Sequence, residues 1–231
     1  MIASWSFSRL LDFEACQYRA YLKYDLRIPE PERPLPPGKT EHANDRGTRI
    51  HTLAEDYVAG RLETLPPELA AFTPELAHAR ALFQDGRVSL EGQWGMDQDW
   101  TPCAWSAAWQ RCKLDAIVRT GPHTAVVIDY KTGRKFGNEI KHGQQLQLYT
   151  VNTFLRFPDI EQVTGELWYL DQDEITAMTF TRKQGLRLKG NFDQRGHAVT
   201  DCTEFAPNPN AHSCRWCMYG PAGICKTAFK P

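Results

Sequence analysis

No apolar run in this sequence approaches the roughly 18 residues that crossing a bilayer requires. Its beginning, MIASWSFSRLLDFEAC, lacks a basic segment followed by an apolar one. Neither a membrane span nor a secretory leader is expected, and a cytoplasmic location is. Internal repeats and low-complexity tracts are missing too, which excludes a solenoid or a tail-like protein. The cysteines do not form an even set. There are seven, and in a reducing compartment that suits ligation better than a disulfide frame. Charge of one sign is also lacking: 27 Lys and Arg stand against 28 Asp and Glu, a net charge of -1. That excludes capture of nucleic acid by bulk charge, so basic surface must be local. Two stretches supply it: Lys131, Arg134, Lys135 and Lys141, then Arg182, Lys183, Arg187, Lys189 and Arg195. Either could equally be an ordinary solvated face. A phosphate-binding loop is the last absence. Pro37-Gly38-Lys39-Thr40 imitates its end, but the glycine required five residues before Gly38 is Arg33. Prolines also stand where a buried strand should precede it, so no ATP site is expected.

What is present fits one globular domain. The chain has 231 residues, 42% of them hydrophobic, enough to bury a core without staples. Residues 4–27 read as a helix capped by Ser6 or Ser8, with a stripe of Phe7, Leu10, Leu11, Tyr18 and Leu22. Five prolines make 28–40 an extended loop. A second helix covers about 44–60, capped by Asn44 or Asp45 and stopped by Gly60, and a third covers 74–84. Alternation predicts strands at 88–94, 108–119 and 125–130, then at 165–170 and 175–180, with a helix over 139–157 between the two groups. A basic helix follows at 182 to about 192, and the tail from Asp201 has no clear period. This order predicts an α/β fold with a central mixed sheet flanked by helices.

Two strands carry the first chemical signal. Lys113-Leu114-Asp115-Ala116-Ile117 and Val127-Ile128-Asp129-Tyr130-Lys131-Thr132-Gly133 flank a turn at Gly121-Pro122. Paired as a hairpin, they let Asp115 and Asp129 converge on one hard cation such as Mg²⁺. Asp129 and Lys131 share a strand face, where a lysine can orient an attacking water and offset phosphate charge. An ordinary surface ion pair would show the same D-x-K. Around it stand Arg46-Gly47-x-x-x-His51, with Glu55 a turn later on the same helix face, and Gln145-x-x-x-Tyr149, whose spacing also shares one helix face.

This ordered set, from Ser6-x-Ser8 and Cys16 through R-G-x-x-x-H, L-D, I-D-Y-K-T-G and Q-x-x-x-Y, resembles the RecB-like branch of the PD-(D/E)XK nucleases, over about residues 4–226. The resemblance implies a restriction-endonuclease-like core. It implies that His51, Asp115, Asp129 and the Tyr130 carbonyl bind Mg²⁺ or Mn²⁺ and that Lys131 assists the nucleophilic water. Gln145 and Tyr149 would line the DNA path, joined by Arg46. Glu91 and Glu55 are further candidates, Glu91 for a supporting or second-metal role. The implied reaction is hydrolysis of DNA, leaving a 5'-phosphate and a 3'-hydroxyl. The implied mode is exonuclease action on single strands or DNA ends, in recombination, repair, phage DNA processing or CRISPR adaptation. With no motor motif, unwinding would fall to a helicase or recombination partner. The alternative is a DNA-end-binding or partner-binding module that does not cleave.

The second signal is Cys214-x2-Cys217-x7-Cys225. Three thiols leave four-fold coordination incomplete. Cys16 is the obvious fourth ligand, with Cys103, Cys112, Cys202 and His212 as competitors. Spacing alone leaves zinc and iron–sulfur open. The resemblance implies a 4Fe-4S cluster on Cys16, Cys214, Cys217 and Cys225, although its last gap is usually shorter than seven residues. The expected organisation is a single nuclease domain over 1–231. Within it, a catalytic core spans about 41–200, and a cluster subdomain joins 1–27 to 201–231.

Overall fold

In the computed structural model, which describes residues 1–229, seven strands form one mixed sheet. In chain order the elements are β1 (Trp5–Ser6), α1 (Phe7–Ala15), α2 (Gln17–Ala20), a π-helical turn (Tyr21–Asp25) and α3 (Ala43–Val58). A 3-10 turn (Pro67–Phe72), α4 (Thr73–Gln84), β2 (Val88–Met96), β3 (Pro102–Cys103), a second 3-10 turn (Trp105–Ala107) and β4 (Gln110–Gly121) follow. Then come β5 (Thr124–Lys131), α5 (Glu139–Arg156), β6 (Gln162–Tyr169), β7 (Glu174–Thr181), α6 (Arg182–Thr200) and α7 (Ala211–Arg215). The sheet order is β3-β2-β4-β5-β6-β7, and β1 pairs with β4. The pairings β5–β6 and β1–β4 are parallel, the others antiparallel. The expected hairpin is therefore β4–β5, and the parallel step to β6 is made through α5.

Alternation along β5 sorts the core. Ile128 and Tyr130 pack toward α3 and α4, with Ile50, Ala54, Val58 and Leu76. Ala125 and Val127 pack toward α5, with Leu146, Tyr149 and Phe154. Ile50, Ala54 and Val58 recur every fourth residue, so α3 buries a single stripe. Each large member of it is worth about 2 kcal/mol. No helix among the described residues is long and apolar enough to cross a membrane.

Three expectations need correction. The helix over 4–27 is broken. Its start is drawn into the sheet, where Trp5 pairs with Gln110 and packs edge-on against Trp100 and Trp109. It breaks again at Cys16, which is extended (φ -164, ψ 110). There the Tyr18 N–H bonds to the Ala206 carbonyl, and the Ala206 N–H to the Gln17 side chain, so the tail replaces helical continuation. Of the two serines, Ser6 is the cap. Secondly, α3 starts after His42 without a side-chain cap, and Asp45 sits in its first turn, where it complements the helix dipole. Thirdly, α6 runs on to Thr200. Gly196, beyond the expected end, marks a close helix approach. A Cβ there would lie 2.4 Å from Trp5 Nε1 and 2.7 Å from the Trp109 ring. Gly196→Ala is therefore expected to lower stability by about 1–3 kcal/mol through overpacking, although alanine is the better helix former. A denaturation midpoint that stayed level or rose would show that the contact yields freely.

The tail from Asp201 docks without a hydrophobic period of its own. Phe205 stacks on Tyr21 at 4.8 Å, and Tyr219 is fully buried with its hydroxyl donating to the Ile28 carbonyl at 2.5 Å. Asn208 and Ser213 donate to the Ala15 carbonyl. The two ends of the described chain thus pack together; positions 230 and 231 of the expected terminal subdomain lie outside the described residues.

Candidate active site

The β4–β5 ladder runs as far as Ala116 opposite Ile128. Just beyond it the Asp115 carboxylate takes the Tyr130 N–H at 2.7 Å, so a side chain replaces the ladder bond and the carboxylate is held beside Asp129. From the other side comes α3. Gly47 lets the helix approach the end of β5: a Cβ there would meet Thr132 Oγ1 at 3.1 Å. One turn later His51 Nδ1 stands 2.9 Å from Asp115 Oδ1, with its ring edge-on to Tyr130. Burial lowers the His51 pKa, but the Asp115 hydrogen bond and the two carboxylates outweigh it and raise it.

Asp129 is 3% exposed, and its Oδ2 is buried without a hydrogen-bond partner. Lys131 Nζ lies 2.6 Å from that oxygen, an ion pair without hydrogen-bond geometry. Burial raises the Asp129 pKa; Lys131 pulls it down, Asp115 pushes it up, and the net direction is upward. The Lys131 ammonium donates instead to Gln145 Oε1 at 2.7 Å, and Gln145 Nε2 donates to the Tyr149 hydroxyl at 2.6 Å. Burial pushes the Tyr149 phenol well up, so it stays neutral. Gln145 and Tyr149 both line the cleft, but the geometry also makes them the brace that aims Lys131. Gln145→Ala is expected to lower the rate of any reaction that uses Lys131 by about tenfold, ~1.4 kcal/mol in barrier. DNA affinity should change little. A loss confined to affinity would make Gln145 a DNA contact alone.

The donor set suits a hard cation: a buried carboxylate oxygen that takes no hydrogen bond, a second carboxylate and an imidazole converge. Among the described residues no three His, Cys, Asp or Glu groups stand already at metal-ligand separations. The positive charge beside Asp129 is Lys131, and a cation would compete with it there.

The cleft holding these residues has a volume of about 750 Å³. Five of its lining side chains are basic (Arg9, Arg111, Lys113, Lys131, Lys141) and two are carboxylates (Asp115, Asp129). A chain of net charge -1 thus keeps a locally basic groove. Burial lowers His142, at its edge, to about 4, so it adds no charge at neutral pH.

Other candidates lie elsewhere. Arg46, expected on the DNA path, makes a two-pronged bond to Asp171 at 2.7 and 2.9 Å, and Asp171 also accepts the Gly133 N–H. Arg46 thereby ties α3 to the loop after Lys131. Glu91 pairs with Lys113, and Glu55 with Arg61. Arg182, from the second basic stretch, donates to the carbonyls of Phe154, Phe157 and Ile160 at the end of α5. Sequence reasoning missed Arg111 and Trp105 on the cleft wall. Only the alternation of Arg111, Lys113 and Asp115 along one strand could have pointed to the first.

The sequence pattern of the PD-(D/E)XK nuclease superfamily matches residues 4–226. This chain belongs to the PD-(D/E)XK nuclease superfamily. No curated protein sequence matches it. Solved structures resemble this PD-(D/E)XK protein remotely. One is the protein SSO0001, with TM-score 0.47 and 15% identity over 100% of this chain and 89% of the other. Another is a protein from Eubacterium rectale described as a candidate exonuclease, with TM-score 0.46 and 12% identity over 92% and 87% of the two chains. A third is an alkaline exonuclease from Laribacter hongkongensis, with TM-score 0.34 and 12% identity over 87% of each. The superfamily membership rests on the sequence pattern alone.

Four cysteines of this PD-(D/E)XK chain share a second cavity, although among the described residues no three of them stand at metal-ligand separations. All seven cysteines are free thiols. Cys16, Cys214, Cys217 and Cys225 line one small cavity of about 20 Å³. Cys103, Cys112, Cys202 and His212 do not line it. Backbone N–H groups point at its sulfurs: Asn208 to Cys16 at 3.4 Å and Phe229 to Cys214 at 3.3 Å. Burial pushes the Cys217 thiol up, against N–H bonds from Tyr219 and Gly220. Donor chemistry and N–H···S bonding suit a thiolate-ligated centre.

Proposed function

We propose that this PD-(D/E)XK protein is a divalent-metal-dependent DNA nuclease, an exonuclease acting on single strands or free ends. The observation that carries this reading is the meeting of His51, Asp115, Asp129 and Lys131 on the floor of one basic cleft. Mg²⁺ or Mn²⁺, held by Asp115, Asp129, His51 and the Tyr130 carbonyl, would supply Lewis acidity and neutralise phosphate charge. Lys131, braced by Gln145, holds a proton-donating ammonium where it can orient an attacking water and meet a phosphate oxygen. Hydrolysis breaks a P–O bond of the DNA backbone and leaves 5'-phosphate and 3'-hydroxyl ends. The exonuclease mode and a setting in recombination, repair, phage DNA processing or CRISPR adaptation follow the motif resemblance, with strand separation left to a helicase or recombination partner.

In the same reading Cys16, Cys214, Cys217 and Cys225 hold a 4Fe-4S cluster that fastens the two ends of the chain. The experiment is anaerobic purification, an absorption spectrum and metal analysis, then incubation with end-labelled single-stranded and duplex DNA in Mg²⁺ or Mn²⁺, with and without chelator. Chelator-sensitive release of nucleotides is expected. DNA binding without cleavage in either metal would favour a non-cleaving end-binding module. A colourless protein with one zinc per chain would replace the cluster by zinc on the same ligands.

A further inference from the structure

We infer that the bound DNA strand continues from the reacting phosphate along β4 and stacks an unpaired base on Trp105, with Arg111 holding an adjoining phosphate. The inference rests on the nuclease reading. Along the start of β4, Gln110, Cys112 and Leu114 are buried and alternate with Arg111, Lys113 and Asp115. Those last three all line the cleft. At about 3.3 Å per strand residue, Arg111 lies roughly 13 Å along the strand from Asp115. Lys113, between them, is paired with Glu91. For Arg111 no carboxylate partner is found among the described residues, and its Nε is buried without a hydrogen-bond partner. A guanidinium in that condition, facing a groove, calls for an anion from outside.

Trp105 supplies the second half. Trp5, Trp94, Trp100, Trp109 and Trp168 are buried in the core and the exposed Trp216 does not line the cleft, whereas Trp105 is 36% exposed on a three-residue turn at the cleft wall. The Arg111 guanidinium lies 5.2 Å from its ring centroid. The cation thus sits over the indole of a residue that keeps 36% of its surface exposed. An indole beside a cation on a basic groove is the chemistry that grips single-stranded nucleic acid: the ring takes a base face, the cation a phosphate. A base inside a duplex offers no free face, so the occupant is a single strand or a frayed end.

The test uses the full chain and a set of end-labelled single-stranded oligonucleotides, each with one abasic site moved stepwise from the cleaved end. Cleavage is followed in Mn²⁺, and binding by fluorescence anisotropy in Ca²⁺. Trp105→Ala is expected to raise KM and Kd by about tenfold with kcat within twofold, and Trp105→Phe to restore most of the loss. For the wild type, one abasic position should raise KM to a similar extent; in Trp105→Ala that position should no longer matter. Arg111→Ala should weaken binding and lower the slope of log K against log salt by about one. A wild type that cleaves with no special abasic position, or a Trp105→Ala with unchanged KM, overturns the stacking site and leaves the nuclease reading intact. Failure of the wild type to cleave defeats the nuclease reading, and the abasic series read by anisotropy then decides the DNA track on its own.

Discussion

Asp129→Asn is expected to abolish cleavage, by about a thousandfold or more, ~4 kcal/mol in barrier. Binding of single-stranded DNA should stay within a few-fold and the melting temperature should rise. The first effect follows from the cleft's construction: Asp129 brings a buried carboxylate oxygen that takes no hydrogen bond and whose one close charged neighbour is the Lys131 ammonium. An amide has the shape of the carboxylate but not its charge, so a hard cation loses a principal ligand. Affinity is spared because the basic side chains that would meet phosphates are untouched. The rise in stability follows from the same burial. A desolvated carboxylate beside Asp115 costs free energy in the folded state, and asparagine removes that charge at nearly constant volume. The melting measurement separates this cause from misfolding. Full turnover in Mg²⁺ would remove Asp129 from the metal site. An inactive variant that melted lower than wild type would point to damage to the fold.

For the proposed 4Fe-4S cluster, Cys217→Ser is expected to remove the broad visible absorption and the iron that such a cluster gives, and to loosen both ends of the chain together. The thiol is half-buried in a cavity that also takes in Cys16 from the break between α1 and α2. Four thiolates on one centre couple metal binding to local folding, so losing one ligand releases the other three. Proteolysis should then cut near both Cys16 and the tail from Asp201, and the melting temperature should fall. Cys103→Ser, outside that cavity, should keep the colour. Unchanged iron content in Cys217→Ser would dismiss it as a ligand. Cleavage confined to the tail would show that the segment around Cys16 keeps its place through the packing of Leu10, Phe13 and Ala20 in the core.

Much of the site was legible because its residues obey local periods. Asp115, Asp129 and Lys131 lie on two strands whose alternation and turn predict a hairpin, and in a hairpin separation along the chain fixes proximity. His51 was placed by resemblance, and its helix was read from its end signals, Asn44 or Asp45 and Gly60; the stripe of Ile50, Ala54 and Val58 is what holds it on the sheet. The roles of other residues were not readable. Arg46 and Asp171 meet because β6 lies beside β5, a pairing of distant segments that no local pattern encodes. Gln145 could be seen to share a helix face with Tyr149, but that face meets Lys131 only after α5 crosses back over the sheet. Helix α6 runs past the expected end near Phe192; the Trp5 and Trp109 rings that explain Gly196 come from elsewhere in the chain.

The sequence by itself determined the α/β class, the order of the elements, the paired carboxylates with their lysine, and the cysteine triplet, since each is written in spacing along one or two neighbouring segments. The tertiary structure decided that Cys16 breaks a helix to face that triplet, that Gln145 and Tyr149 aim Lys131, and that Arg111 and Trp105 form the cleft wall. These depend on which distant segments pack together, and that is set by burial summed over the whole chain.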